Sequence, residues 1–98
     1  AKVRIIDIGC GSGVPVAQAL VNEGHEVFGI DASPSLAAAF ERNLPGCPVR
    51  CEAVLETDFF GLSFDAALAI GLVFLLEPDD QKRLIMKVAG ALKPRGRF

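Results

Sequence analysis

Three glycines at alternating positions form the clearest candidate for chemistry in this 98-residue chain: Gly9, Gly11 and Gly13. Glycine lets the backbone turn tightly and leaves the main chain open to a ligand. A β-branched apolar segment precedes the glycines and a helical pattern follows them, so the free N–H groups of that helix point at the same place. Asp7 adds a carboxylate two residues before the first glycine. We therefore predict a ligand site at this turn, with a purely structural turn as the alternative.

Two more acidic residues follow predicted strands. Asp31 directly follows a strand predicted over 26–30. Glu52 and Ala53 are the last two residues of a strand predicted over 49–53. A carboxylate in the first position can accept both hydroxyls of a ribose, and one in the second can accept an adenine amino group. Asp31 could instead cap a helix, and Glu52 could be a solvated strand end. The carboxyl ends of parallel strands meet at one edge, so we expect these residues beside the glycine turn.

The spacing of the glycines separates the classes of nucleotide site. A dinucleotide fingerprint, G-x-G-x-x-G, needs its third glycine at position 14, where this chain has Val14. The chain also lacks the Walker sequence that cradles a nucleoside triphosphate. A dinucleotide-dependent oxidoreductase therefore stays an alternative, with Val14 counting against it.

The elements that must hold these residues alternate along the chain. We predict strands over 3–8, 26–30, 49–53 and 64–70, a further strand from 96, and helices over 14–23, 34–44 and 78–92. Strands that alternate with helices predict an α/β fold, with a parallel sheet covered by helices on both faces. His25, the only histidine, falls at the start of the second strand, on the edge opposite the predicted site.

Five motifs in order make the chain resemble the class I S-adenosylmethionine-dependent methyltransferases. They are Asp7-x-Gly9-x-Gly11-x-Gly13, Asp31, Glu52-Ala53, Ser63-Phe64-Asp65 and Leu92-Lys93-Pro94. The resemblance spans essentially the whole chain. It implies a three-layer Rossmann-like sandwich whose mainly parallel sheet has the order 3-2-1-4-5. We expect one incomplete cofactor-binding domain over 1–98, a fragment whose C-terminal strands are missing after the start of the fifth.

The resemblance implies S-adenosyl-L-methionine as the cofactor and S-adenosyl-L-homocysteine as the product. The three glycines, with Cys10 among them, would lie under the methionine part of the cofactor. Asp7 would hold both the turn and the cofactor's amino group. Ile70 and Gly71, after the fourth strand, would flank the methionine tail.

The nucleoside part would be held by the next two strand ends. The resemblance implies that Asp31 binds the ribose hydroxyls, that Ala32 lies beside the adenine, and that Glu52 and Ala53 read the adenine edge. Glu52 stands where many relatives carry aspartate, which weakens this part of the expectation. Arg95 stands where a glycine is common.

The sequence indicates less about the substrate than about the cofactor. The segment after the fourth strand lacks the Pro-Pro-aromatic signature of enzymes that methylate amino groups of nucleic acids and protein glutamine. The net charge of −2 also argues against a nucleic-acid partner or an anionic membrane surface. The longest apolar run, 66–76, is shorter than the roughly 20 residues of a membrane span. We therefore expect a small-molecule acceptor.

The remaining expectations concern the protein's location, its chemistry and its assembly. The odd number of cysteines and the absence of a recognisable leader favour a cytoplasmic location, and no metal site is predicted. No catalytic residue is assigned, because transfer from an activated sulfonium mainly requires positioning. Besides the oxidoreductase fragment, a non-catalytic Rossmann-like binding module is the second alternative. The sequence predicts no oligomeric state.

Overall fold

The computed structural model describes residues 2–69 and 77–98, and in them one parallel sheet forms the centre of the fold. Its strands are β1 (Arg4–Ile8), β2 (Glu26–Ile30), β3 (Val49–Arg50), β4 (Phe64–Leu68) and β5 (Leu92–Arg97). Their order is β3-β2-β1-β4-β5, and every neighbouring pair is parallel. The predicted fold class and sheet order are therefore confirmed.

Helices cover both faces of this sheet, as the apolar strands predict. They are α1 (Val16–Asn22), α2 (Pro34–Asn43) and α3 (Pro78–Ala91). On one face α1 and α2 pack on the sheet through Ala17, Phe40 and Leu44. On the other face Leu84 and Val88 of α3 join a larger core. Within the described residues, no helix combines the length and hydropathy that a membrane crossing requires.

Local hydrogen bonds determine where the first two helices begin. Ser33 caps α2 by accepting the N–H of Leu36 at 3.3 Å, and Pro34 occupies the first turn, so the helix begins at residue 34 as predicted. Helix α1 begins at Val16, two residues later than predicted. The N–H of Gln18 bonds the carbonyl of Gly13 at 2.8 Å, which keeps residues 13–15 in the glycine turn.

Four strand predictions were wrong in their bounds. Strand β1 begins at Arg4 rather than 3, and β4 ends at Leu68, since Ala69 is not part of the strand. Strand β3 ends at Arg50 rather than 53, because the chain then enters a short 3₁₀ turn over Val54–Glu56. Strand β5 begins at Leu92, which pairs with Phe64, whereas the prediction started it at 96. The intervening residues form a bulge before Arg97 pairs with Ala66, and Arg95 has a left-handed φ of 70° there. The predicted end of the fourth strand, Ile70, lies outside the described residues.

Candidate functional site

The glycine turn after β1 is pinned to the end of β2. The backbone N–H groups of Gly9 and Cys10 both donate to the carbonyl of Ile30, at 2.7 and 3.0 Å. The turn closes on itself where the N–H of Gly13 donates to the carbonyl of Cys10 at 3.2 Å. These bonds fix the turn against the neighbouring strand without using a side chain.

Two of the glycines serve different purposes. Gly11 has a φ of +58°, and a side chain added there would meet nothing within 4 Å. Its main chain therefore faces open space, as a cradle for a ligand requires. Gly13 has a φ of +83°, and a Cβ there would lie 2.9 Å from both Phe40 and Leu44. Gly13 thus lets the turn approach helix α2, which is a packing role.

Asp31 ties the glycine turn to the start of α2. One carboxylate oxygen accepts the N–H of Gly11 at 2.8 Å, and the other accepts the N–H of Ser33 at 2.9 Å. Asp31 therefore has a structural role, although the residue that caps α2 is Ser33. Each carboxylate oxygen has two lone pairs, so both can still accept a ligand hydroxyl.

Asp7 is a buried acid on β1, only 5% exposed. Burial, and secondly the nearby charge of Asp31, raise the pKa of Asp7 from 3.8 to about 6. A buried carboxylate of this kind favours a cationic partner, because a positive charge would offset the cost of burial. Its position beside the glycine turn agrees with the prediction for a ligand's amino group.

Cys10 lies in the same turn and is half-buried. Burial, followed by the charges of Asp7 and Asp31, raises the pKa of the Cys10 thiol to about 12. The thiol therefore stays protonated, and its Sγ donates weakly to the carbonyl of Gly11 at 3.6 Å. Because the thiolate is the nucleophilic form of cysteine, this residue is inert packing at the edge of the site.

A pocket of about 130 Å³ opens beside this turn. It is lined by Asp7, Gly9, Cys10, Gly13, Val14 and Val16. Pockets that enclose a whole drug-sized ligand measure about 300–1,000 Å³, so this one suits only part of a nucleoside-sized molecule.

Glu52 lies just after β3, and its Oε1 atom is buried without a hydrogen-bond partner among the described residues. The nearest cation is Arg50, whose Nη1 lies 3.9 Å from that atom. A buried polar atom without a partner is rare and costly in a folded protein. The donor that it lacks could come from a ligand, and the exocyclic amino group of adenine has that chemistry.

The neighbouring residues link the ends of β2 and β3. The carbonyl of Ala32 accepts the Sγ–H of Cys51 at 3.7 Å, and the N–H of Asp31 donates to the carbonyl of Arg50 at 3.1 Å. Ala53 precedes the 3₁₀ turn, and its carbonyl accepts the N–H of Glu56 at 3.0 Å.

The structure therefore brings together most of the residues predicted from the sequence. Hydrogen bonds join the glycine turn to the ends of β2 and β3 in one continuous edge. Ile70 and Gly71 lie outside the described residues. His25 lies on the opposite edge, where its Nδ1 accepts the N–H of Val3 at 3.3 Å.

Sequence reasoning missed two residues near the site. A Cβ at Gly29 in β2 would lie 2.8 Å from the Sγ of Cys10 and 2.9 Å from the Phe40 ring. An isolated glycine inside an apolar strand is a signal for such close approach. Arg50, which contacts Glu52, gave no signal, because a lone arginine at the end of a short strand forms no motif with its partners Glu52 and Asp58.

Comparison with known proteins gives a family match over nearly the whole chain. A family model described as a methyltransferase domain matches residues 5–96. Among curated proteins, the chain is 37% identical over 105 residues to the 18S rRNA (guanine(1575)-N(7))-methyltransferase of Saccharomyces cerevisiae. It is 30% identical to the O-methyltransferase resE of Aspergillus sclerotiorum. The matches cover 96% and 100% of this chain but only 38% and 39% of those proteins, so it spans about two fifths of their length.

Solved structures agree with this match. The TehB-like SAM-dependent methyltransferase from Corynebacterium glutamicum superposes with a TM-score of 0.84 at 25% identity, over 96% of this chain and 51% of that one. The sugar N-methyltransferase KedS8 from Streptoalloteichus gives 0.82 at 28% identity, over 95% and 38%. These findings favour the methyltransferase interpretation over the oxidoreductase alternative.

Proposed function

The chain belongs to the methyltransferase domain family, as its five motifs predicted, and we propose that it forms the cofactor-binding part of an S-adenosylmethionine-dependent methyltransferase. The cofactor class has the support of the family match and of the SAM-dependent relative. The single observation that carries the proposal is the hydrogen bond from the N–H of Gly11 to Asp31. This bond joins the glycine turn, which we expect to bind the methionine part of the cofactor, to Asp31, which we expect to bind its ribose.

We assign the methionine end of the cofactor to the pocket at the glycine turn. The acid of Asp7 would hold the cofactor's ammonium group, and Gly9 and Gly13, which line the same pocket, would lie against its methionine part. Cys10 would contribute shape only, since its thiol stays protonated. Ile70 and Gly71 stay predicted neighbours of the methionine tail.

We assign the nucleoside end to the ends of β2 and β3. Asp31 would accept the ribose hydroxyls with its remaining lone pairs, and Ala32 would lie beside the adenine. Glu52 would accept the adenine amino group at its unpartnered Oε1, next to Ala53. These residues supply the acceptors that a ribose and an adenine require.

The bound cofactor would supply a methyl group already activated on a sulfonium. The task of this chain's residues is then to bind and orient, because an in-line displacement depends on holding the acceptor near the methyl group at the right angle. We assign no general base, which such a transfer does not require.

We propose a small molecule as the methyl acceptor, on the net charge of −2 and on the missing Pro-Pro-aromatic signature. An RNA base is the second candidate, because a relative 37% identical to this chain is named as an rRNA methyltransferase. Transfer of a labelled methyl group by the complete protein, to rRNA and to small amines and alcohols in parallel, separates the two. Labelled rRNA alone would contradict the small-molecule proposal.

We also propose that the chain is a single cofactor-binding domain and that the protein is cytoplasmic.

Replacement of Asp31 tests the site. We expect Asp31→Ala to weaken the binding of S-adenosylhomocysteine about tenfold or more, a loss of about 1.4 kcal/mol. The matched control is Asp65→Ala, because Asp65 also accepts a backbone N–H from another strand, that of Arg4 at 2.7 Å, but on the opposite edge of the sheet. Isothermal calorimetry measures both affinities. Equal affinity in wild type and Asp31→Ala would refute the assignment.

A further inference from the structure

Arg50 lies at the centre of a small cluster that also contains Glu52, Asp58 and Phe60. Its guanidinium pairs with the carboxylate of Asp58 and lies 4.4 Å from the centre of the Phe60 ring. The same Nη1 atom lies 3.9 Å from Oε1 of Glu52. The planar guanidinium can stack on a ring and attract two carboxylates at once, which a lysine ammonium cannot do in the same way.

Asp58 and Phe60, the partners of Arg50 away from Glu52, have further contacts of their own. The N–H of Phe60 donates to Asp58 at 3.0 Å, and its backbone has a left-handed φ of 60°. The Phe60 ring meets Phe28 of β2 edge to face, with 5.1 Å between the ring centres. The arginine is therefore anchored to the core on one side and presents its charge to Glu52 on the other.

The contact with Glu52 is close enough to attract and too long for a hydrogen bond. At 3.9 Å the guanidinium attracts the carboxylate, yet it leaves the buried Oε1 without a hydrogen-bond partner in the described residues. Oε1 therefore lies beside a positive charge and keeps its lone pairs for a donor that the described residues do not supply.

We propose that Arg50 is a positioning residue that orients Glu52 to recognise the exocyclic amino group of the cofactor's adenine. The inference rests on the proposed function, since it assumes that Glu52 faces adenine. It adds a specificity element that acts through another side chain, and it predicts selectivity for adenine over a purine without the amino group.

The test compares two ligands by calorimetry: S-adenosylhomocysteine and its analogue in which unsubstituted purine replaces adenine. In Arg50→Ala we expect the first affinity to fall about three- to fivefold, the range of a partly exposed ion pair, and the second to stay unchanged. Arg50→Lys should fall between wild type and Arg50→Ala. In the Glu52→Ala background, Arg50→Ala should have no further effect on the ratio of the two affinities.

The chain offers a closely matched control. Arg4 also pairs with a glutamate, Glu26 at 2.9 Å, and also lies over a phenylalanine ring, that of Phe28 at 6.0 Å, but at the opposite edge of the sheet. Arg4→Ala should therefore leave the ratio of the two affinities unchanged. If Arg50→Ala does not fold, Arg50→Gln removes the charge while keeping most of the side chain.

The outcomes separate the two proposals. If the wild-type chain binds neither ligand, the proposed function fails and this inference fails with it. If wild type prefers S-adenosylhomocysteine but Arg50→Ala keeps the same ratio, or loses both affinities equally, only the positioning role is overturned. A ratio that falls in Arg50→Ala and not in Arg4→Ala supports it.

Discussion

Asp7 carries a carboxyl group whose charged form is disfavoured by burial and by the neighbouring Asp31, which raise its pKa to about 6. In the unfolded chain the pKa is that of a free aspartate, so between about pH 4 and 6 the folded state binds the proton more strongly. The contribution of Asp7 to stability is therefore fully present at low pH and is lost as the pH rises through 6. At neutral pH the buried charge costs about 1–3 kcal/mol.

Removal of the Asp7 carboxylate should stabilise the chain only at a pH above the raised pKa, where the group is ionised. We expect Asp7→Asn to raise the free energy of unfolding by about 1–3 kcal/mol near pH 7.5 and by little near pH 4. Urea denaturation at the two pH values measures the difference. The same variant should bind S-adenosylhomocysteine more weakly near pH 7.5, because the ligand's ammonium loses its charged partner. A stabilisation of equal size at both pH values would contradict the account of Asp7.

The residue types of the site could be predicted from the sequence, but their environments could not. The positions of Asp7 and Asp31 followed from strand ends and glycine spacing. The thiol pKa of Cys10 depends on carboxylates 3 and 21 positions away in sequence, which only the fold brings near. The free oxygen of Glu52 likewise depends on Arg50 being held by Asp58 and Phe60.

At the scale of elements, close packing between β2, the glycine turn and helix α2 holds the site. Phe40 is fully buried at the centre of this contact. Its ring leaves no room for a side chain at Gly13 or Gly29, where a Cβ would lie 2.9 Å from it. The ring thus packs tightly against the turn, which backbone hydrogen bonds also hold, and it does not itself line the described pocket.

This packing predicts a specific sensitivity. Gly29→Ala should lower the free energy of unfolding by about 1–3 kcal/mol, because the added methyl overpacks the space beside Cys10 and Phe40. The control is Gly46→Ala, since a Cβ there would meet nothing within 4 Å. Thermal unfolding followed by circular dichroism compares the two. Equal melting temperatures for both variants would show that the contact is not tight.

Sequence patterns located the five β-strands and three α-helices of the described residues, and they failed mainly at the ends of these elements. The start of β2 and of α2 follow from local signals, an apolar run in one case and the Ser33-Pro34 cap in the other. Strand β5 was predicted too late, because the pairing of Leu92 with Phe64 is a long-range contact with no local signature. Arg95 has a left-handed φ of 70°, a backbone conformation that glycine adopts more readily than arginine, and no local pattern around it signals this.

For the whole molecule, sheet order explains why residues distant in sequence meet. Because β1 lies beside β2 and β2 beside β3, the three strand ends form one row. Backbone bonds tie this row together, from the glycine turn to Ile30 and from Asp31 to Arg50. The cofactor site that we propose therefore depends on the order of the strands in the sheet. The relatives named as an rRNA methyltransferase and a sugar N-methyltransferase are both much longer than this chain.

The most direct test of the central claim is calorimetric titration of this 98-residue chain with S-adenosylhomocysteine, with NADH as the control ligand. Circular dichroism of the same sample establishes that the chain is folded. The account predicts micromolar binding of S-adenosylhomocysteine and no binding of NADH. A folded chain that binds NADH instead, or that binds neither ligand, would contradict the assignment of this sheet edge as a methyltransferase cofactor site.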